Sequence, residues 1–519
     1  MFSLKKLVLF SFTLMAAGVS AAQIRLSADF DTGNLDDAYR IDSTKLMLAA
    51  TDSITVYQLS LNSRIDPPNP IDTAVQPSSR WFHFRMEGVK NKPLFIHISN
   101  SEVNRPFFSY DGENYQRFEV RENLLPHTIN TVFERDTVYV AYFAPYTHKR
   151  HCEDMHRWCR SPYAHCDTIG YSTNGLPITM LTVTDPASPD HNKKKIWLHA
   201  RVHTSEAPAA WHLASLIDQL LDSSELCAAI RRNAVFYIVP EPNPDGVLGG
   251  YSRSTPSGVN MEINWDRHDS LTAPEVLALK RTIERLAADR PFDIALNLHS
   301  QIKPSVTYWI HTAESTSPYF LHCQMLLSAH TITHTPYYCR EDQCFSTLNA
   351  KFPEGWFWEM YGDRTLALTF ETTYSCYNND PCGETVTFGN LAQLAQASLL
   401  TLSDMLDLGG AQRMVSDSEN IPLRSGWTQK SDDRIFFGGS YLVSERANAS
   451  VTFAFDAAEA GIYDVYKWNP GSPDPDDDDE CLWIHIDEIA NKKAGPLTWT
   501  YTATAAGEIL DAILLVRRP

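Results

Sequence analysis

The residues able to do chemistry stand where apolar runs end. Residues 196–202 run into His203-Thr204-Ser205-Glu206. An imidazole and a carboxylate three residues apart at a strand end can turn onto one point, as a zinc ion requires at about 2.0–2.2 Å. That spacing alone also describes many surface turns. A second apolar run, 292–298, closes in His299-Ser300, and a third, 366–370, closes in Glu371-Thr372-Thr373. A lone histidine at such a place is ordinarily structural, but Asn243-Pro244-Asp245-Gly246 also opens a turn that leads to Arg253. Together these positions meet the needs of metal-assisted acyl transfer. His203, Glu206 and His299 would hold the ion and leave one position for water. Glu371 would take the water's proton and return one to the leaving nitrogen, and Arg253 would stabilise the tetrahedral oxyanion. G-x-S-x-G, glycine-rich phosphate loops and H-E-x-x-H are all absent.

Alternating elements must position these groups. Strands are expected at 196–202, 234–239, 292–298 and 365–370, with helices at 207–221, 274–288 and 390–406. In the 274–288 helix, Val276, Leu277, Leu279, Ile283 and Leu286 recur every three to four residues and make one apolar face. This pattern argues for an α/β sheet with helices on both faces, whose ligands gather at the carboxyl ends of the strands. Residues 22–145 read as short strands (81–86, 94–98, 137–142) and predict a β-sandwich. The catalytic unit would span 146–408 and a polar linker 409–425. A smaller β-sandwich would follow over 426–519, with strands at 441–443, 451–455, 462–468 and 509–516.

The 519 residues contain 43% hydrophobic and 21% charged residues, an ordinary globular composition. A formal net charge of -19 repels phosphate backbones, so nucleic acid is not an expected partner. Lys5-Lys6, an apolar stretch over 7–19 and Ser20-Ala21-Ala22 describe a cleavable export signal over 1–21. The mature chain would begin near Ala22 or Gln23, periplasmic or extracellular, and no later segment is long and apolar enough to span a bilayer. After export the 10 cysteines read as staples. Cys339–Cys344 and Cys376–Cys382 are candidate short-loop disulfides, although spacing does not fix connectivity. The acidic run 474–480 reads as a solvated loop, with calcium binding as the alternative. Trp468, Trp483 and Trp499 offer either stacking faces for an extracellular polymer or core packing.

At this point the residues resemble a known family. Ala200-Arg201-Val202-His203-Thr204-Ser205-Glu206-Ala207-Pro208, Pro240-Glu241-Pro242-Asn243-Pro244-Asp245-Gly246, Leu298-His299-Ser300 and Thr369-Phe370-Glu371 are similar to the M14 zinc carboxypeptidases. Arg201-Val202-His203, Trp211, Trp81-Phe82-His83-Phe84 and Ala144-Pro145-Tyr146-Thr147 point to the cytosolic carboxypeptidase-like branch. The resemblance covers about 23–406. It implies a zinc-carboxypeptidase-type mixed sheet, one Zn2+ on His203, Glu206 and His299, Glu371 as catalytic carboxylate, Arg253 as oxyanion arginine, and a peptide or protein substrate.

One departure stands out. The family usually reads Gly-Val-Asp-Leu-Asn-Arg-Asn-Trp, whose Asn-Arg pair clamps the substrate's terminal carboxylate. Here the segment is Gly258-Val259-Asn260-Met261-Glu262-Ile263-Asn264-Trp265. Isoleucine offers a carboxylate nothing and glutamate repels it. Either another cation, Arg267 or Arg231, serves as the anchor, or Glu262 meets a positive group of the substrate. An amidase or endopeptidase acting on cell-wall or crosslinking peptides is the alternative enzyme, and a zinc-containing binding protein without turnover is the alternative of another class.

Overall fold

The computed structural model describes residues 24–49, 51–101, 105–377, 383–457, 459–472 and 481–518. The expected export signal, Cys382 and the acidic run 474–480 lie outside the described residues.

Eight strands form the central mixed sheet. From one edge to the other they are Ala164–Tyr171, Pro177–Val183, Ala234–Val239, Lys194–Ala200, Ile294–Gln301, Leu366–Thr373, Thr307–His311 and Cys344–Ser346. The four from Ala234–Val239 to Leu366–Thr373 are parallel neighbours, so their carboxyl ends share one edge. Both faces are apolar, as parallel strands require. Ile196, Leu198, Leu296, Leu298, Leu368 and Phe370 point into one cluster with Leu213 and Ile217 of helix Ala207–Leu220 and with Leu391 and Leu394 of helix Phe388–Leu406. Trp197, Ala295 and Ala367, the alternate residues, meet Val276, Leu279 and Ile283 of helix Pro274–Leu286 on the other face.

The residues before this sheet form a five-stranded and a four-stranded sheet. Their core side chains Phe82, Phe84, Ile96 and Val140 belong to the same apolar cluster as Leu198 and Phe370.

Near the C-terminus, four-, three- and two-stranded sheets surround a core that includes Phe453, Val465 and Leu515. The polar stretch expected as a linker contributes the strand Arg413–Asp417, which pairs antiparallel with Ala512–Arg517. Its backbone completes a sheet, which a polar side-chain pattern does not reveal. Trp468, Trp483 and Trp499 are 0%, 8% and 9% exposed, so their faces are occupied by protein. Trp468 and Trp483 pack with Phe437 against Leu326 and Ala329 of helix Pro318–His334. That helix, absent from the expectations above, is apolar on opposite sides because Phe320 and Leu327 face the central core. It therefore lacks the one-sided periodicity that marks a surface helix.

Cys159 and Cys166 form a disulfide, while Cys339, Cys344 and Cys376 remain thiols. The expected Cys339–Cys344 bridge does not form. Cys339 Sγ turns to Asp342 Oδ2 at 3.1 Å, and Cys344 is tied into a strand in register with Trp309.

His330, His334 and Asp404 bring ligand atoms within 4.8 Å of one another. The Asp404 carboxylate, however, already takes both Nε and Nη2 of Arg413, at 2.7 and 2.6 Å, and His334 Nε2 at 2.9 Å. The guanidinium supplies the cation there. Asp404 thus ties two helices to the strand Arg413–Asp417. Asp404→Asn removes the charge that buried Arg413 requires and is expected to cost about 3–5 kcal/mol in urea unfolding. A loss below about 1 kcal/mol would mean that the pair contributes nothing to that junction.

Candidate metal and catalytic centre

The site is built where three parallel strands end. After strand Lys194–Ala200 the chain breaks sharply at Arg201, whose φ of 59° lies in the left-handed region. A non-glycine residue there costs roughly 1–2 kcal/mol and persists only when its surroundings enforce it. Arg201 is 2% exposed and donates from Nη1 to Tyr146 O at 3.3 Å. This turn carries His203 back over the sheet edge. Glu206 then occupies the N-cap of helix Ala207–Leu220, where the helix dipole favours a carboxylate. Gly246 keeps the neighbouring loop close, since a Cβ there would meet Thr204 Cγ2 at 2.6 Å and Ser254 O at 2.7 Å.

Register supplies the other two groups. In the parallel pair Ile294–Gln301 and Leu366–Thr373, His299 stands beside Glu371. Paired residues project to the same face, so the imidazole and carboxylate share one. Trp309 on the next strand donates from Nε1 to Glu371 Oε1 at 3.3 Å.

One carboxylate joins the two imidazoles. Glu206 Oε1 lies 2.9 Å from His203 Nδ1, and Oε2 lies 2.7 Å from His299 Nδ1. Ser300 N donates to the same Oε2 at 3.1 Å. All three side chains are no more than 3% exposed. The remaining ring nitrogens also face partners: His203 Nε2 is 3.1 Å from Asn260 Oδ1, and His299 Nε2 is 3.0 Å from Glu262 Oε2. A metal-binding histidine characteristically offers one nitrogen to the ion and holds the other against an amide or carboxylate. The donor set therefore fits a zinc ion. Glu262 also groups with the two histidines within 4.8 Å, but Glu206 contacts both imidazoles and is the better ligand.

Burial and mutual repulsion sort the carboxylates. Burial opposes ionisation of Glu206, but His203 and His299 outweigh it and hold its carboxyl well below the ordinary range. Glu262 is likewise buried, and His299 holds it down to about 2. Glu371 is pushed up to about 7 by burial and by the Glu206 charge. His299 rises well above its usual value because Glu262 and Glu206 outweigh its desolvation. A centre with this much buried negative charge calls for a cation.

Glu262, expected to meet the substrate, is 8% exposed and turned inward. Besides lying within ion-pair distance of His299 it accepts from Asn297 Nδ2 at 3.2 Å, and the same amide donates to Glu354 at 3.0 Å. Arg267 lies beside Asp266, Nε to Oδ1 3.7 Å. Arg231 is 2% exposed in helix Glu225–Asn233, donates to Asp222 O at 2.9 Å and stacks on Tyr163, so it offers the substrate no anchor.

Arg253 reaches the centre, with Nη1 3.3 Å from Glu206 Oε1 and Nη2 3.0 Å from His203 Nε2. Its backbone is held by a residue the motif reading missed. Asp66, 3% exposed, accepts from the amides of Ser252, Arg253 and Ser254 at 2.8, 2.7 and 3.1 Å. Asp66 lies 187 positions from Arg253 in the chain, and only its place in a polar Pro-rich loop marks it. Asn260 was legible as the one residue standing where the quoted family segment has aspartate. Asp66→Ala leaves three amides without acceptors, at about 1–3 kcal/mol for each that stays dry. Hydrogen exchange of 252–254 is expected to accelerate at least tenfold, and unchanged protection would show that the loop holds itself.

Known proteins match parts of this sequence and its fold. Residues 160–352 match the M14 peptidase family described as zinc carboxypeptidase, and residues 26–143 match the cytosolic carboxypeptidase N-terminal domain. An uncharacterized protein of Zymomonas mobilis is 27% identical over 227 residues, 41% of this chain and 58% of that protein. Human cytosolic carboxypeptidase 2 is 22% identical over 333 residues, 56% of this chain and 34% of the relative. The chain thus spans between a third and somewhat over half of these relatives' lengths. Among solved structures, a metallo-carboxypeptidase from Burkholderia cenocepacia is similar at a TM-score of 0.59 and 22% identity, covering 73% of this chain and 97% of that one. A metallo-carboxypeptidase from Pseudomonas aeruginosa, in complex with (2-guanidinoethylmercapto)succinic acid, gives 0.60 and 23%, covering 74% and 99%. By these matches residues 160–352 form a domain of the M14 zinc carboxypeptidase family, and residues 26–143 ahead of it form the N-terminal domain found in the cytosolic carboxypeptidases.

Proposed function

We propose that this protein is an exported zinc-dependent carboxypeptidase that hydrolyses peptide bonds. The observation that carries the reading is the Glu206 carboxylate in contact with Nδ1 of both His203 and His299 in a buried pocket. These three residues would hold the zinc, which when bound polarises a carbonyl and acidifies a water. The chain's own groups supply the rest. Glu371, on the same sheet edge as His299, takes a proton from the attacking water and passes one to the leaving nitrogen. Arg253, one-third exposed, offers its guanidinium to the oxygen that gains charge. Trp309 fixes one Glu371 oxygen and leaves the other for the proton.

The amidase or endopeptidase reading rests on one observation: Ile263 and the inward-turned Glu262 replace the family's carboxylate clamp. Digests of muropeptides and plain peptides, compared by mass spectrometry, distinguish the two. Export rests on the charged, apolar and small-residue succession over 1–22, with the Cys159–Cys166 disulfide in keeping with an oxidising compartment.

Purified wild-type protein is expected to carry one zinc per chain by elemental analysis, and His299→Ala to carry at least tenfold less at equal free zinc. Glu371→Gln is expected to keep its zinc and lose about 10²- to 10⁴-fold in kcat on peptides. Near-wild-type turnover by Glu371→Gln would sink the mechanism. For export, mass spectrometry of protein secreted by an expressing host is expected to show a first residue near Ala22 or Gln23; a chain retained inside with Met1 in place would overturn that part.

A further inference from the structure

The peptidase reading leaves the substrate's terminal carboxylate without its usual partner. Ile263 carries no charge, Glu262 is committed to His299, and Arg253 is engaged with Glu206. Another cation stands in the loop that precedes the N-terminal strand His83–Glu87. Arg80 immediately precedes Trp81, whose backbone amide donates to Ser252 Oγ at 2.9 Å. Trp81 is itself fixed, 2% exposed with Nε1 donating to Thr32 O at 2.8 Å. The chain neighbours of Arg80 and Arg253, Trp81 and Ser252, are thereby joined. The Arg80 guanidinium carbon lies 5.9 Å from the ring centroid of Tyr374, three residues beyond Glu371, and Tyr374 in turn packs on Tyr142 at 4.9 Å. Burial opposes the charge of Arg80, which Tyr374, Tyr142 and then Glu206 favour; Glu206, the carboxylate among them, is already shared among His203, His299 and Arg253. Among the described residues the guanidinium fork has no carboxylate of its own.

We infer that Arg80 receives the C-terminal carboxylate of the peptide substrate and takes the place of the missing clamp. This rests on the peptidase reading. A guanidinium at the mouth of a low-dielectric site gives a carboxylate two parallel charge-assisted hydrogen bonds. Supplied from the N-terminal strands, such a bond makes an arginine at 263 dispensable. Free-acid peptides are then preferred over their amides, and the preference resides in Arg80.

The test uses the full zinc-loaded chain and one peptide that the wild type cleaves, chosen by library digest and prepared with a free and an amidated C-terminus. Wild type is expected to favour the free acid. Arg80→Gln is expected to raise KM for the free acid about ten- to a hundredfold with kcat little changed, and to leave the amide unaffected. Arg80→Lys should recover part of the difference. A free-acid-to-amide ratio that survives Arg80→Gln, or an equal fall on both substrates, overturns the inference. So does wild-type hydrolysis that ignores the carboxylate, and that result leaves the peptidase reading standing. A wild type that cleaves no library member removes both. Calorimetric binding of benzoylglycine and of its amide to zinc-loaded Glu371→Gln protein gives a second readout. Loss of Arg80 must weaken only the acid.

Discussion

The structure turns on a single buried carboxylate held between two imidazoles. Glu206 pays its desolvation cost through contact with His203 and His299, a backbone amide and the start of a helix. Those partners come from three places: a strand-end turn in the left-handed region, a strand register that carries both His299 and the Ser300 amide, and a helix cap. Displacing any of them leaves a charge stranded at low dielectric. The parallel four-strand core exists in this sense to bring distant chain segments to one edge, with apolar side chains on both faces holding the register.

The same electrostatics divide the surrounding acids into two roles. Glu262 stays ionised beneath His299, whereas burial and the Glu206 charge push Glu371 up to about 7. Where the family segment has aspartate this chain has Asn260 on His203, and its carboxylate appears two residues later on the other histidine. An amide oxygen thus faces one imidazole and a carboxylate the other, and the Glu262 oxygens are used inside.

The N-terminal strands take part in the site. Their apolar side chains merge into the core of the central sheet, Asp66 gathers three amides of the arginine-bearing loop, and Asn34 donates to Gly250 O at 2.7 Å in the same loop. The C-terminal sheets, by contrast, meet the central unit through helix Pro318–His334 and the Asp404 network, which include none of His203, Glu206 and His299.

The local grammar of the chain determined the strand-end positions of His203, His299 and Glu371, the H-x-x-E spacing, the helices that start at Ala207 and Pro274, and the alternation that makes a layered α/β sheet. Those properties depend on neighbours a few residues apart, so side-chain type and period suffice to read them. Contacts across the fold decided the rest. Asp66 and Trp81 bond to segments more than 170 positions away, Glu262 turned inward because a buried histidine competes for it, Cys339 stayed a thiol because Cys344 is pinned in a strand, and helix Pro318–His334 hid its period by packing on two sides. A carboxylate or guanidinium carries no mark of its partner until folding removes water and makes one partner decisive.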